Sequence, residues 1–177
     1  MTRRPRSSWL LAVVVAVAAC APAAGASSAP ADQVWRTTHL VDVRSGQSFT
    51  IDGLRGKLVA IEPMAAWCTN CAIQQGEARA ALRTLANPGV VYISLDVDPN
   101  ERAEDLADYA ERWGYDWRFV VAGPDVARSL AATFGDQILS PPSTPLILVG
   151  PDGEVVEQNF GIHGADDLVE SFSQNLP

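Results

Sequence analysis

From about Val34 onward, short apolar runs alternate with amphipathic stretches, the pattern of an α/β layer in which helices pack on a central sheet. Lys57 to Pro63 reads as a buried strand and Cys68 to Leu85 as a helix, so the chain passes from strand to helix just before Cys68. Val90 to Leu95 predicts a second buried strand, closed off by Asp98-Pro99-Asn100. Between Glu101 and Trp113, Leu106, Tyr109, Ala110 and Trp113 recur at helical spacing, and Glu101, Arg102, Glu104, Asp105, Asp108 and Glu111 form a solvated face around them. Trp117 to Val121 predicts a short strand, and Pro124 to Phe134 a helix with proline in its first turn. Pro145 to Val149 and Glu154 to Phe160 flank Gly150-Pro151-Asp152-Gly153, which predicts an antiparallel hairpin. A helix from Ala165 to Asn175 follows. At the other end, His39 to Val43 and Ser48 to Ile51 predict an opening hairpin around Arg44-Ser45-Gly46-Gln47. With no internal repeat and no break in composition, residues 34–177 are expected to form one domain around one core.

Ahead of that domain, Arg3, Arg4 and Arg6 precede an apolar run from Trp9 to Ala19 that is short for a bilayer span, so residues 1–19 read as a secretion signal. Val17-Ala18-Ala19-Cys20 resembles the bacterial lipoprotein cleavage motif, which makes Cys20 the expected lipidation site. The alternative is ordinary cleavage near Ala23 to Ala26, leaving a secreted or periplasmic protein. Residues 20–33 are rich in Ala, Pro, Ser and Gly and are expected to act as anchor and tether. The expected location is the extracytoplasmic face of the cell membrane.

Composition narrows the function. The chain holds 13 basic and 21 acidic residues, a net charge of −8, and loss of the three leader arginines makes it more acidic still. A nucleic acid is therefore not an expected partner. Three cysteines divide into Cys20 and the pair Cys68 and Cys71, which leaves no odd thiol in an oxidising compartment. The pair lies in Trp67-Cys68-Thr69-Asn70-Cys71. At a helix N-terminus a thiol's pKa falls from about 8.5 toward roughly 3.5 to 7.5, which makes a nucleophile. The same spacing is also half of a zinc site. A second cysteine pair is missing, however, and only His39 and His163 are available as histidine ligands.

Ala65-Ala66-Trp67-Cys68-Thr69-Asn70-Cys71 after a buried strand, Ser143-Thr144-Pro145 before another, and the closing hairpin and helix together resemble the thioredoxin superfamily from about Phe49 to Leu176. The leader, the tether, the Phe49-to-Lys57 segment and the insert from Asp98 to Asp116 look like its membrane-tethered TlpA/ResA-type thiol-disulfide oxidoreductases. The resemblance implies a thioredoxin-like fold, a central mixed β-sheet flanked by helices, here with an N-terminal β-hairpin extension. It also implies roles. Cys68 attacks a substrate disulfide and Cys71 resolves the mixed disulfide. Pro145 is the catalytic proline, expected in cis, leaving the backbone of Thr144 to pair with an extended substrate. Trp67 shields the dithiol and offers apolar surface to the substrate, its alternative being a core aromatic. Glu62, six residues before Cys68, stands where thioredoxins carry a buried acid, and desolvation there would let it act as base toward Cys71. The alternative is a partly exposed glutamate paired with Lys57 or an arginine. No cofactor or metal is expected. The implied partners are thiols and disulfides of exported proteins and a membrane redox donor, with the protein itself a monomer.

The chain also departs from that pattern. Pro63 and Met64 replace large aromatic residues, and a proline inside a central strand predicts a bulge or an early strand end. Thr69-Asn70 leaves the direction of electron flow open, although tether and subgroup lean toward a reductase, in apocytochrome or copper-site maturation. Copper chaperones of the SCO type share the fold and resemble Asp116-Trp117-Arg118-Phe119, but they space their cysteines by three residues and carry a histidine where Ser140 to Thr144 has none. His163 reads as a loop histidine. A peroxiredoxin-type peroxidase lacks its Thr-x-x-Cys here, and a non-catalytic binding lipoprotein is the remaining alternative.

Overall fold

A computed structural model describes residues 1–2 and 33–177. The leader beyond Thr2, Cys20 and the tether up to Asp32 lie outside the described residues. None of the helices among those described is long and apolar enough to cross a membrane.

A one-turn helix α1 (Val34–Thr37) leads into a small antiparallel hairpin, β1 (Leu40–Val41) and β2 (Ser48–Phe49). There follow β3 (Leu58–Met64), α2 (Thr69–Leu85), β4 (Val90–Asp96), α3 (Ala103–Trp113), β5 (Arg118–Val121), α4 (Pro124–Phe134), β6 (Leu146–Val149), β7 (Val155–Asn159) and α5 (Ala165–Asn175). Five strands form one mixed sheet in the order β5-β4-β3-β6-β7. β3 is central, parallel to β4 and antiparallel to β6. This is the expected α/β architecture with its hairpin extension. The short α1 carried no period long enough to be read from the sequence.

Side chains of β3 alternate between two cores because successive residues of a strand face opposite sides. Leu58, Ala60 and Met64 join Cys71, Ala78, Leu106, Tyr109 and Phe172 on the face covered by α2, α3 and α5. Val59 and Ile61 join Trp35, Val126, Leu130 and Ile138 on the other. Glu62 shares the parity of Ala60 and Met64, so its carboxyl is directed into the layer that holds Cys71.

Pro63 does not end the strand. β3 runs through it in register with β4, Pro63 opposite Leu95 and Met64 opposite Asp96, without a bulge. On its other side β6 pairs only with Val59, Ala60 and Ile61. The missing N–H of Pro63 therefore lies beyond the end of that ladder, where it costs no hydrogen bond.

The opening hairpin covers β5, an otherwise open sheet edge. Val43 N–H donates to Phe119 O at 2.8 Å and Phe119 N–H to Asp42 Oδ1 at 3.1 Å. The Arg44 guanidinium donates to the carbonyls of Tyr115 and Trp117. Asp42 is desolvated here, yet hydrogen bonds from Ser45 and Phe119, with Arg44 nearby, hold its carboxyl below the usual range.

Candidate active site

Cys68 is the N-cap of α2 and Cys71 lies within its first turn, bridged to it by a disulfide with a Cα–Cα distance of 5.3 Å. An N-cap residue has a non-helical backbone and offers its side chain to the free N–H groups of the first turn. Cys68 does this with sulfur, accepting from Cys71 N–H at 3.1 Å. That N–H and the positive end of the α2 dipole both face the Cys68 sulfur, a setting that favours a thiolate over a thiol. Cys71 is fully buried and Cys68 retains 3 % exposure. Cys68 borders two surface grooves, whereas Cys71 borders neither. A larger cavity of about 490 Å³ lies elsewhere, between β1 and the start of α4.

The segment before β6 meets the dithiol through its prolines. The Pro141 carbonyl oxygen lies 3.3 Å from Cys71 Sγ, an acceptor for that thiol when reduced, and the Pro142 carbonyl accepts from Asn70 Nδ2 at 2.9 Å. The Thr144–Pro145 bond is trans, against the expectation, since no peptide bond is cis among the described residues. The turn is made instead by Thr144, whose left-handed backbone (φ 44°, ψ 63°) reverses the chain after a short 3₁₀ turn. Thr144 is buried and its N–H donates to Pro141 O at 2.8 Å, so that N–H is not free for a substrate. Pro145 is buried immediately before β6.

Glu62 is fully buried, and Lys57 donates to Pro88 O instead of pairing with it. One oxygen, Oε2, accepts from Gln75 Nε2 at 3.2 Å and from Ser94 Oγ at 3.1 Å. Oε1 is buried without a partner. Desolvation pushes the carboxyl up to about 8, its hydrogen bonds offsetting only part of that cost. The network continues outward from both donors. Tyr109 Oη donates to Gln75 Oε1 at 2.7 Å, and Trp117 Nε1 donates to Ser94 Oγ at 3.0 Å. Burial, then the Glu62 charge, raises the Tyr92 phenol well above its ordinary value. Gln75 lies four residues after Cys71 and so shares its helix face. A glutamine on that buried stripe, and Ser94 directly opposite Glu62 across β3 and β4, were the available sequence signals for these partners.

Trp67 is 59 % exposed, which sets aside the core-aromatic alternative, and its indole N–H donates to Asp98 Oδ2 at 2.6 Å. The loop after β4 braces the dithiol loop a second time. Ala66 N–H donates to both oxygens of Glu101, at 3.0 and 2.9 Å. Beneath them Asp96 is buried, its Oδ1 accepting from Asp98 N–H at 2.9 Å. Burial, and then the neighbouring Glu101, pushes Asp96 up to about 8. Position along the chain gave no sign of this bracket, because the charges around Glu101 read as an ordinary solvated face.

His163 sits in the loop after β7, its backbone N–H bonded to Gln74 Oε1 at 2.7 Å. Among the described residues no group of three or more His, Cys, Asp or Glu side chains is placed to hold a metal ion.

No family model matches the chain, and no curated relative does. Solved structures do. A thioredoxin-family thiol:disulfide interchange protein from Chlorobium tepidum is 19 % identical with a TM-score of 0.66, over 79 % of this chain and 93 % of that one. The thioredoxin domain of a thiol-disulfide oxidoreductase from Bacteroides vulgatus is 18 % identical with a TM-score of 0.60, over 79 % and 93 %. A SCO1/SenC family lipoprotein from Bacillus anthracis is 20 % identical with a TM-score of 0.61, over 78 % and 92 %. At such identities the likeness concerns the backbone, and on that ground the chain has a thioredoxin-like fold, with a bridged Cys-x-x-Cys pair at the head of the helix that follows its central strand.

Proposed function

We propose that the protein is an extracytoplasmic thiol-disulfide oxidoreductase that reduces disulfides of exported proteins. The observation that carries this reading is the Cys68–Cys71 bridge at the N-terminus of α2, on the same side of the sheet as a fully buried carboxyl held near neutral pH. In the reduced protein the Cys68 thiolate attacks one sulfur of a substrate disulfide. A Cys68–substrate bond forms, the substrate disulfide breaks, and the other substrate sulfur leaves as a thiolate. Cys71 then gives its proton to the ionised form of Glu62 and attacks Cys68 Sγ. The Cys68–substrate bond breaks, the second substrate sulfur leaves as a thiolate that takes a proton from solvent, and the bridge closes. Two electrons have passed to the substrate. A dithiol donor at the membrane restores the pair by the reverse exchange. A carboxyl raised to about 8 binds a proton more tightly than an ordinary glutamate, so its ionised fraction is a stronger base for a thiol.

The apolar leader and Cys20 support lipid anchoring on the outer face of the membrane, with residues 20–33 as tether and 34–177 as a monomeric catalytic domain. Thiols of apocytochromes or of copper sites are the candidate substrates. Trp67, exposed beside Cys68, contributes apolar contact to them. The copper-chaperone reading shares the fold but gains no support from the cysteine spacing or from any third ligand.

A Cys71→Ser variant tests the proposal. Without the resolving sulfur, Cys68 should remain in mixed disulfides that appear on non-reducing gels and vanish with reductant. No trapped species, together with one copper bound per wild-type chain, would overturn the oxidoreductase in favour of the chaperone.

A further inference from the structure

Large apolar side chains exposed among the described residues are few, and three of them, Trp67, Ile73 (47 % exposed) and Trp113 (47 %), border a single groove. This groove has a volume of about 470 Å³, runs between α2 and α3, and ends on Cys68. Its walls are held in place before anything binds. The Trp67 indole is fixed by Asp98, and the Trp113 ring packs against those of Tyr109 and Tyr115. Tyr109 lines it from a buried position, anchored by its bond to Gln75. A rigid aromatic surface of this kind binds with little ordering cost. One charged residue, the exposed Arg112, lines it as well. Cys68 also borders a second groove, of about 250 Å³, whose lining beyond Trp67 is Thr69, Asn70 and Pro142. The approaches to the attacking sulfur are therefore unequal, one aromatic and larger, the other smaller and more polar.

We propose that the α2–α3 groove is a specificity subsite for a polypeptide whose reacting cysteine is flanked by an aromatic or long aliphatic residue, with an acidic residue within reach of Arg112. The chemistry of the groove selects this occupant. A ligand that reaches Cys68 for exchange must bring sulfur, and the neighbouring wall is indole and phenol ring. The one charged side chain lining the groove is Arg112, the carboxylates of Asp98 and Glu101 being engaged by the N–H groups of Trp67 and Ala66. The proposal rests on the oxidoreductase reading and names the substrate class for it.

The test uses the reduced full chain and four short peptides, each carrying one cysteine as a mixed disulfide with 2-mercaptoethanol. The residue flanking the cysteine is Trp or Ser, and the next is Glu or Lys. Wild type should favour Trp over Ser about tenfold in kcat/KM, and Glu over Lys about two- to fivefold. In Trp113→Ala the Trp/Ser ratio should fall about threefold or more, the remaining preference coming from Trp67, Ile73 and Tyr109, and in Arg112→Glu the Glu/Lys ratio should invert. Ratios within one variant cancel any change in intrinsic reactivity; Trp113 is half-buried against Tyr109 and Tyr115, so each variant is first shown to unfold in urea as the wild type does. Val156→Ser, on the opposite edge of the sheet, should leave both ratios at wild-type values. Exchange with every peptide at equal rates, or ratios unmoved by either variant, would overturn the subsite while leaving the oxidoreductase intact. No exchange with any peptide, and none with hydroxyethyl disulfide, would overturn the oxidoreductase and the subsite with it.

Discussion

Replacing Glu62 by Gln should make the protein more stable at high pH and leave it nearly unchanged at low pH. A carboxyl raised from 4.5 to about 8 keeps its proton in the native state over a range in which the unfolded chain has lost it. The unfolded state binds fewer protons there, so stability falls as pH rises from 4.5 and levels off above about 8. At 1.36 kcal/mol per tenfold change in proton affinity the full effect is about 5 kcal/mol, of which about 4 kcal/mol falls between pH 5 and pH 9. Glutamine resembles the protonated acid in shape and hydrogen bonding but does not titrate. The assay is urea unfolding of the oxidised protein at pH 5, 6, 7, 8 and 9. The intact bridge keeps Cys68 and Cys71 from titrating. Asp96 is also raised to about 8, but its neighbours are Glu101 and Asp98, so its contribution is common to both proteins and cancels in the difference. Glu62→Gln minus wild type should rise by about 4 kcal/mol across the series. A difference flat to within about 1 kcal/mol, the equivalent of less than a tenfold change in proton affinity, would refute the buried, proton-holding Glu62 and with it the base assigned to Cys71.

Two further outcomes follow from the same surroundings. In Tyr109→Phe the Gln75 carbonyl loses its donor, and the amide is free to turn its oxygen toward a protonated Glu62. The Glu62 transition should then move to higher pH, as read by the same unfolding series, and an unmoved transition would show that Tyr109 does not set the amide. Glu101→Ala removes both acceptors of the Ala66 N–H and should cost about 1–3 kcal/mol in denaturant unfolding. Glu101→Gln, which keeps one acceptor oxygen, should recover most of it, and equal losses in the two variants would contradict the bracing role.

The alternation of apolar runs and amphipathic stretches was enough for the order of strands and long helices, since strand and helix periods are local properties of the chain. It was also enough to put Cys68 at the head of a helix, because the apolar run before it and the helical pattern after it leave the chain no other junction. The acid at Glu62 was legible as one charge inside a buried strand. Its partners were not. Gln75, Ser94 and Tyr109 come from α2, β4 and α3, and only pairing of β4 beside β3 together with packing of the two helices on one face of the sheet brings their polar atoms together. Pro63 misled because its cost depends on which neighbouring strand continues past it, and the ladder with β6 ends at Ile61. Pro145 misled because the left-handed Thr144 turns the chain without a cis bond, leaving Pro141 and Pro142 to supply the carbonyls nearest the dithiol. The residues by themselves thus determined which sulfurs could react and where along the chain they stand. Tertiary structure decided what surrounds them, because desolvation, the choice of hydrogen-bond partner and the shape of a groove are set by groups distant in sequence and adjacent in space.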